Sequence, residues 1–383
     1  MAEKRLGVIM NGVTGRMGTN QHLVRSVLEI NKEGGVVLKD GTRVVLDPIL
    51  VGRNADKVSR LAKAHGVERW TTDLDAALAD KKDELFFDAA STQLRAALVK
   101  KAITAGKHIY VEKPTADTLE DAQEIYRLAK KAGIKHGVVQ DKLYLPGLLK
   151  LKMLRQAGFF GRILSCRIDF GYWVFEGDLQ PIQRPSWNYR KAEGGGIVLD
   201  MMPHWRYVVD NVFGNMTGLF CMPVNHIEKR WDEQGQPYKA DCDDAAYAIL
   251  QLEGGAVAQI NFDWNVRVRR DDLVTFKIDG THGSAVAGLV DCWTQERVNT
   301  PRPVWNPDTS VATDYFKDWQ KMPTVLPPQN AFRIEWEMFI RHLYDGAPFP
   351  HGLLEGAKGL QTVELAFKSW AEKRWVDVPK LED

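Results

Sequence analysis

Across 383 residues, 51 Lys and Arg balance 50 Asp and Glu, so the net charge is +1 and no global field recruits nucleic acid or anionic lipid. A hydrophobic content of 44% can fill the cores of two domains, yet no apolar run reaches the roughly 20 residues that span a bilayer. The nine histidines show no metal-ligand spacing, and Cys166, Cys221, Cys242 and Cys292 form no close pair; the expectation is a cytoplasmic chain with free thiols, no metal and a small-molecule partner.

Residues 6–10 form a short apolar run of the buried parallel-strand type, followed by Gly12, Gly15 and Gly18 and then by an amphipathic segment carrying Leu23, Val24, Val27 and Leu28. Strand, glycine turn, helix is the order a dinucleotide needs, because glycines let the backbone approach a pyrophosphate held by the helix N-terminus. The spacing G-x-x-G-x-x-G departs from the usual G-x-G-x-x-G. Asp40-Gly41 marks a hairpin, read as an insertion before a second core strand at 48–51. After that strand an acid would normally bind the adenosine ribose, but the chain reads Gly52-Arg53-Asn54. Arg53 either lies along the adenine or meets a 2′-phosphate, or it is simply solvated while Asn54 caps the next helix.

The alternation continues with a strand at 85–90, a turn at Ser91-Thr92-Gln93, and a helix ended by Gly106. A strand at 108–111 runs into Glu112-Lys113-Pro114, which puts an ammonium at a strand's carboxyl end, where open α/β sheets place ligands. A helix opened by Thr118 and a strand at 138–140 complete a doubly wound parallel sheet, the Rossmann arrangement, over residues 1–143. The candidate cofactor contacts for NAD or NADP are Gly12, Gly15, Met17, Arg53, Thr92, Glu112 and Lys113.

Residues 144–383 change character. A helix from Pro146 carrying Leu149, Met153 and Leu154 is followed by alternating strands at 162–172, 247–252, 257–264 and 273–279, the pattern of an α+β domain with a large open, mostly antiparallel sheet. Residues 285–326, rich in Pro, Asn and Trp, read as a long loop, and 330–344 and 353–373 as closing helices. Within this half, Gly194-Gly195-Gly196 precedes Asp200 and His204, which share a helix face at a spacing of four. Upstream stand Tyr172, Trp173, Arg184, Trp187 and Tyr189: the rings either offer flat faces for a substrate to stack on or fill the core, and Arg184 or Arg190 is expected to meet an acidic substituent.

These residues together resemble the Gfo/Idh/MocA family of nicotinamide-dependent oxidoreductases. The likeness rests on the glycine turn, on Glu112-Lys113-Pro114, on Leu-x-x-x-Gly-x-x-Gly-x-Ile at 154–163, and on the Gly-Gly-Gly-x-x-x-Asp-x-x-x-His run ending at His204. It implies Lys113, Asp200 and His204 as catalytic residues, a sugar, glycoside or cyclitol as substrate, and a homodimer or homotetramer. The glycine turn itself looks like that of dihydrodipicolinate reductase, and Asp141-Lys142 departs from the family's usual loop. An alternative chemistry on the same residues is transient oxidation of a glycoside followed by elimination, as in NAD-dependent sulfoquinovosidases. A non-catalytic cofactor sensor is disfavoured by the intact Lys113, Asp200 and His204.

Overall fold

A computed structural model describes residues 2–178, 184–303, 306–310, 313–324 and 329–382. Strand β1 (Glu3–Asn11) lies between β3 (Arg43–Val51) and β5 (Asp83–Asp88), all parallel, and β6 (His108–Val111) and β7 (His136–Val138) continue the sheet. Strand β2 (Val36–Val37) pairs antiparallel with the start of β3, and β4 (Arg69–Thr71) pairs with its end. The order β2-β3-β1-β5-β6-β7 reverses its direction of growth at β1, which opens a crevice beyond the carboxyl ends of β1 and β5.

Several expectations need correction. The arm after Asp40-Gly41 and the core strand are one continuous strand, β3, rather than an insertion followed by a strand. Pro48 is tolerated inside it because the outer edge of β3 is unpaired between its contacts with β2 and β4, where a missing N–H costs no ladder bond. Strand β4 and helix α3 (Leu74–Ala79) were not expected at all. Helix α1 (Gly18–Leu28, running on through Lys32) is wound wide in the π manner, and its buried positions Gly18, His22, Leu23, Ser26 and Val27 recur every four to five residues accordingly. Helices α2 (Ala55–Ala64), α4 (Thr92–Thr104) and α5 (Leu119–Ala132) cover the sheet as read.

The larger correction concerns the chain's end. The first compact unit takes the residues up to Tyr144 and also Gln329–Glu364. Helix α8 (Ala331–Asp345) buries Trp336, Phe339 and Ile340 in one cluster with Val8, Met10 and Phe87 of the parallel sheet. Its amphipathic pattern announces a helix, but nothing in that pattern says which core it joins.

The second unit runs from Leu145 and includes Leu365–Lys380. With β9 (Met216–Val224), β12 (Ala245–Leu252), β14 (Val274–Gly280) and β18 (Val376–Asp377), its nine-stranded sheet has the order β17-β16-β15-β14-β8-β13-β12-β9-β18; within it only β8 (Ile163–Gly171) and β13 (Val257–Asp263) pair in parallel, and β10 (Lys229–Trp231) and β11 (Pro237–Lys239) form a separate hairpin. Strands β15 (Gly283–Ala287), β16 (Cys292–Glu296) and β17 (Gln320–Lys321) occupy part of what was expected to be loop; residues 304, 305, 311, 312, 325 and 326 of that stretch lie outside the described residues. Helix α6 (Pro146–Gln156) buries Leu148 and Leu151, while Met153 is exposed. Helix α7 (Ile197–Val208) seals the sheet with Trp205 against Phe170, Phe262 and Phe276. Among the described residues no helix is long and apolar enough to cross a membrane.

Candidate functional site

In the first unit the residues singled out for the cofactor all stand at carboxyl ends of the parallel strands. Gly12 follows β1 at φ +70°, and a Cβ there would lie 2.4 Å from Ala90 N, so the turn and the loop after β5 touch backbone to backbone. Thr14, Gly15 and Arg16 at the tip of the turn are exposed, and Met17 is half-buried beside them. Thr92 opens α4 just past β5, with its unpaired N–H groups at the same edge. Arg53 follows β3 and is exposed, while Asn54 accepts the Lys57 N–H at 2.9 Å and caps α2.

One buried cation joins these loops. Arg95 donates to Asp88 Oδ2 at 2.9 Å and to Ala90 O at 2.6 Å, and its remaining terminal nitrogen meets Pro114 O. Asn11 Nδ2 donates to Asp88 Oδ1 at 2.7 Å. The ends of β1 and β5 and the segment after β6 are therefore tied through one carboxylate and one guanidinium. Sequence reading missed Asn11, Asp88 and Arg95, although Asn11 and Asp88 end strands at the ligand edge and Arg95 stands in the first turn of the helix that follows β5. Lys113, half-buried, precedes a cis peptide bond to Pro114, and its backbone N–H donates to Glu112 Oε2 at 3.0 Å.

In the second unit the triple glycine has a steric cause. A Cβ on Gly195 would lie 2.6 Å from both Trp187 O and Asn188 O, and Gly196 has φ +114° with Asp243 against it. Gly196 offers α7 no capping side chain, so Asp243 supplies the cap from a distant loop: its Oδ2 accepts the Val198 N–H at 2.7 Å. Burial, opposed by that hydrogen bond, pushes the Asp243 carboxyl up to about 6 from an ordinary 3.8. A half-buried acid raised in this way is easier to hold protonated folded than unfolded, so its contribution is most favourable below pH 3.8 and is lost as pH rises through about 6. Denaturation of the wild type and Asp243→Asn at pH 4 and pH 7 should show the wild type losing about 2 kcal/mol relative to the variant over that interval. A pH-independent difference would show that Asp243 titrates normally.

Helix α7 carries Asp200 and His204 one turn apart. His204 is buried, and its Nδ1 lies 2.6 Å from Tyr207 Oη. Asp200 Oδ2 accepts from Arg184 Nη2 at 2.7 Å; the same nitrogen meets Asn188 Oδ1 at 2.7 Å, Nη1 meets Tyr172 Oη at 3.4 Å, and the guanidinium stacks on Trp264 at 4.1 Å. Arg184, expected to face a substrate acid, thus has its charge matched by Asp200. Tyr189, expected as a sugar-stacking ring, is 0% exposed under Arg230, whose guanidinium sits 3.9 Å above it. Aromatic residues before a glycine run give no sign of which ring points inward. Trp187 is 46% exposed, and Trp173 is half-buried with Arg267 over its face at 4.0 Å.

Residues 10–139 match the oxidoreductase family with NAD-binding Rossmann fold, and residues 148–286 match the GFO/IDH/MocA C-terminal domain. D-xylose dehydrogenase from Paenarthrobacter nicotinovorans is 53% identical over 378 residues, 98% of this chain and 97% of that protein. Levoglucosan dehydrogenase from Pseudarthrobacter phenanthrenivorans is 23% identical over 359 residues, 87% of this chain and 90% of that protein. The solved structure of levoglucosan dehydrogenase in complex with NADH and levoglucosan superposes with a TM-score of 0.81 at 22% identity, covering 98% of this chain and 100% of that one.

Proposed function

The chain belongs to the Gfo/Idh/MocA family and is an NAD-dependent sugar oxidoreductase, and on that footing we propose that its substrate is an aldopentose, D-xylose foremost. The observation that carries the substrate is the 53% identity to a D-xylose dehydrogenase over nearly both whole chains. The pairing of Arg184 with Asp200 adds to it, since a guanidinium whose charge is already matched suits an uncharged sugar better than an anionic one. Nothing favours the hydrolytic alternative: the relatives reported above are dehydrogenases.

A bound nicotinamide would supply the acceptor for the hydride of a hydroxyl-bearing carbon, and the protein's own residues handle the hydroxyl's proton and charge. In this reading the Lys113 ammonium stabilises oxygen as negative charge develops on it. His204 takes the proton; with Nδ1 set against Tyr207, the exchange falls to Nε2. Asp200, gripped by Arg184, orients a neighbouring hydroxyl. Tyr172, Trp173 and Trp187 offer rings to the sugar's C–H surfaces, whereas Tyr189 is buried against Trp264 and Arg230. At the adenosine end no acid follows β3 and Arg53 is exposed, so a 2′-phosphate meets no repulsion and both nicotinamides bind.

An assay of pentoses, hexoses, inositols and levoglucosan with each nicotinamide tests this directly. D-xylose should give the highest kcat/KM for formation of reduced cofactor; a cyclitol or levoglucosan ahead of it would overturn the substrate. The partner proposed besides substrate is a second copy of the chain. Ile249, Gln259, Arg167, Lys277, Val286 and Trp293 stand in register across six strands on the sheet face away from α7, a broad half-apolar surface. Light scattering should return a dimer or tetramer, and a monomer would refute it.

A further inference from the structure

The first unit contains a buried hydrogen-bonded chain in which Trp336 and His22, given no role above, reach Glu112. Trp336 Nε1 of α8 donates to His22 Nδ1 at 3.0 Å, and His22 Nε2 lies 2.8 Å from Glu112 Oε1. An indole N–H can only donate, so Nδ1 accepts, and the ring proton sits on Nε2 and is given to the carboxylate. The carboxylate's other oxygen accepts the Lys113 backbone N–H at 3.0 Å. Trp336, His22 and Glu112 are all buried. The imidazole is also clamped sideways, 4.3 Å from the Phe87 ring and edge-on to Phe332 at 5.2 Å.

We propose that His22, set by Trp336, is a positioning residue for Lys113: through Glu112 it fixes the backbone from which the lysine side chain departs. The proposal rests on the reading of Lys113 as the cation that stabilises the reacting oxygen. It adds what holds that cation in place, a question the Glu-Lys-Pro sequence alone leaves open.

The charges around Glu112 say what removal of His22 would do. Burial pushes the Glu112 carboxyl up, but the His22 hydrogen bond, with Lys113 and Arg95 nearby, outweighs it and holds the group below the usual carboxylate range. Arg95 is itself matched by Asp88. On the α8 side stands Glu335, whose Oε1 accepts the Gln140 N–H at 2.8 Å, with Asp141 and Lys142 close by. Burial, with Asp141 beside it, drives the Glu335 carboxyl well above the ordinary carboxyl value, opposite to the direction in which Glu112 is moved. His22 is therefore the principal side chain keeping Glu112 ionised. Without it the carboxyl titrates upward, and its protonated form holds the Lys113 N–H poorly.

His22→Leu, His22→Gln and Lys113→Met separate the possibilities. In His22→Leu, kcat should fall by about 10²-fold, the cost of a misplaced reacting group, while KM for the sugar and the affinity for NADH change little. The acid limb of its kcat/KM profile should move toward neutral pH as Glu112 titrates. His22→Gln, whose amide N–H reaches the place of Nε2–H, should recover most of both. A folded Leu variant with wild-type kcat and an unmoved acid limb overturns the proposal. Should the Leu variant not fold, the wild type still decides: ¹⁵N signals of His22 must show Nε2 protonated and Nδ1 bare, and the opposite form overturns it. Lys113→Met loses turnover whether or not the relay exists. If that variant stays active, the catalytic reading has failed; if it is dead while His22→Leu behaves as wild type, the relay alone has.

Discussion

Lys113→Met should turn over D-xylose on the order of 10³-fold more slowly than the wild type while binding NADH within a few-fold as well. The substitution keeps the length of the aliphatic stem and removes the only charge, so a loss confined to kcat isolates the ammonium's action on the developing oxyanion. The half-buried setting of the residue sharpens the effect, because a cation in a water-poor site stabilises charge more strongly than one in bulk solvent. Measured as reduced cofactor formed per enzyme under saturating sugar, retained turnover would remove the lysine from the chemistry.

Arg95→Leu is expected to be the most damaging change outside the proposed chemistry. It strands Asp88, 0% exposed, with Asn11 as its remaining side-chain donor, and leaves Ala90 O and Pro114 O without their shared partner. Breaking a buried pair on one side costs about 3–5 kcal/mol, which for a unit of this size lowers the melting midpoint by roughly 10 °C. NADH should bind at least about tenfold more weakly, since the glycine turn, the start of α4 and the lysine segment lose the group that ties them. Arg95→Lys should recover little, because an ammonium cannot reproduce a planar fork aimed at three acceptors. Unchanged stability in the Leu variant would mean that water replaces the guanidinium.

The sequence announces the parallel sheet plainly, because buried strands, glycine turns and helix caps are local events. Asn54 and Thr118 cap the helices they precede, Gly106 and Gly133 end theirs with positive φ, and Asp200 and His204 share α7. What stayed hidden depends on contacts between segments remote in the chain. The amide of Val198 is capped from Asp243, Asp200 is bound by Arg184, and Tyr189 is taken out of play by Arg230. Each partner is an ordinary polar residue in its own neighbourhood, and no spacing rule links them. His22 is the sharpest case. It stands in the helix that follows the glycine turn, yet its donor lies 314 residues later.

The return of α8 into the first unit bears on how this enzyme can be cut and recombined. A fragment ending at Tyr144 would lack Trp336, Phe339 and Ile340, so Phe87 and Tyr110 would face solvent and Glu112 would keep an imidazole with no indole behind it. Chimeras that graft the N-terminal half of one dehydrogenase onto the C-terminal half of another would pair each cofactor fold with a foreign closing helix. Swaps that carry Gln329–Glu364 along with the donor's first 144 residues should be the ones that express and bind nucleotide.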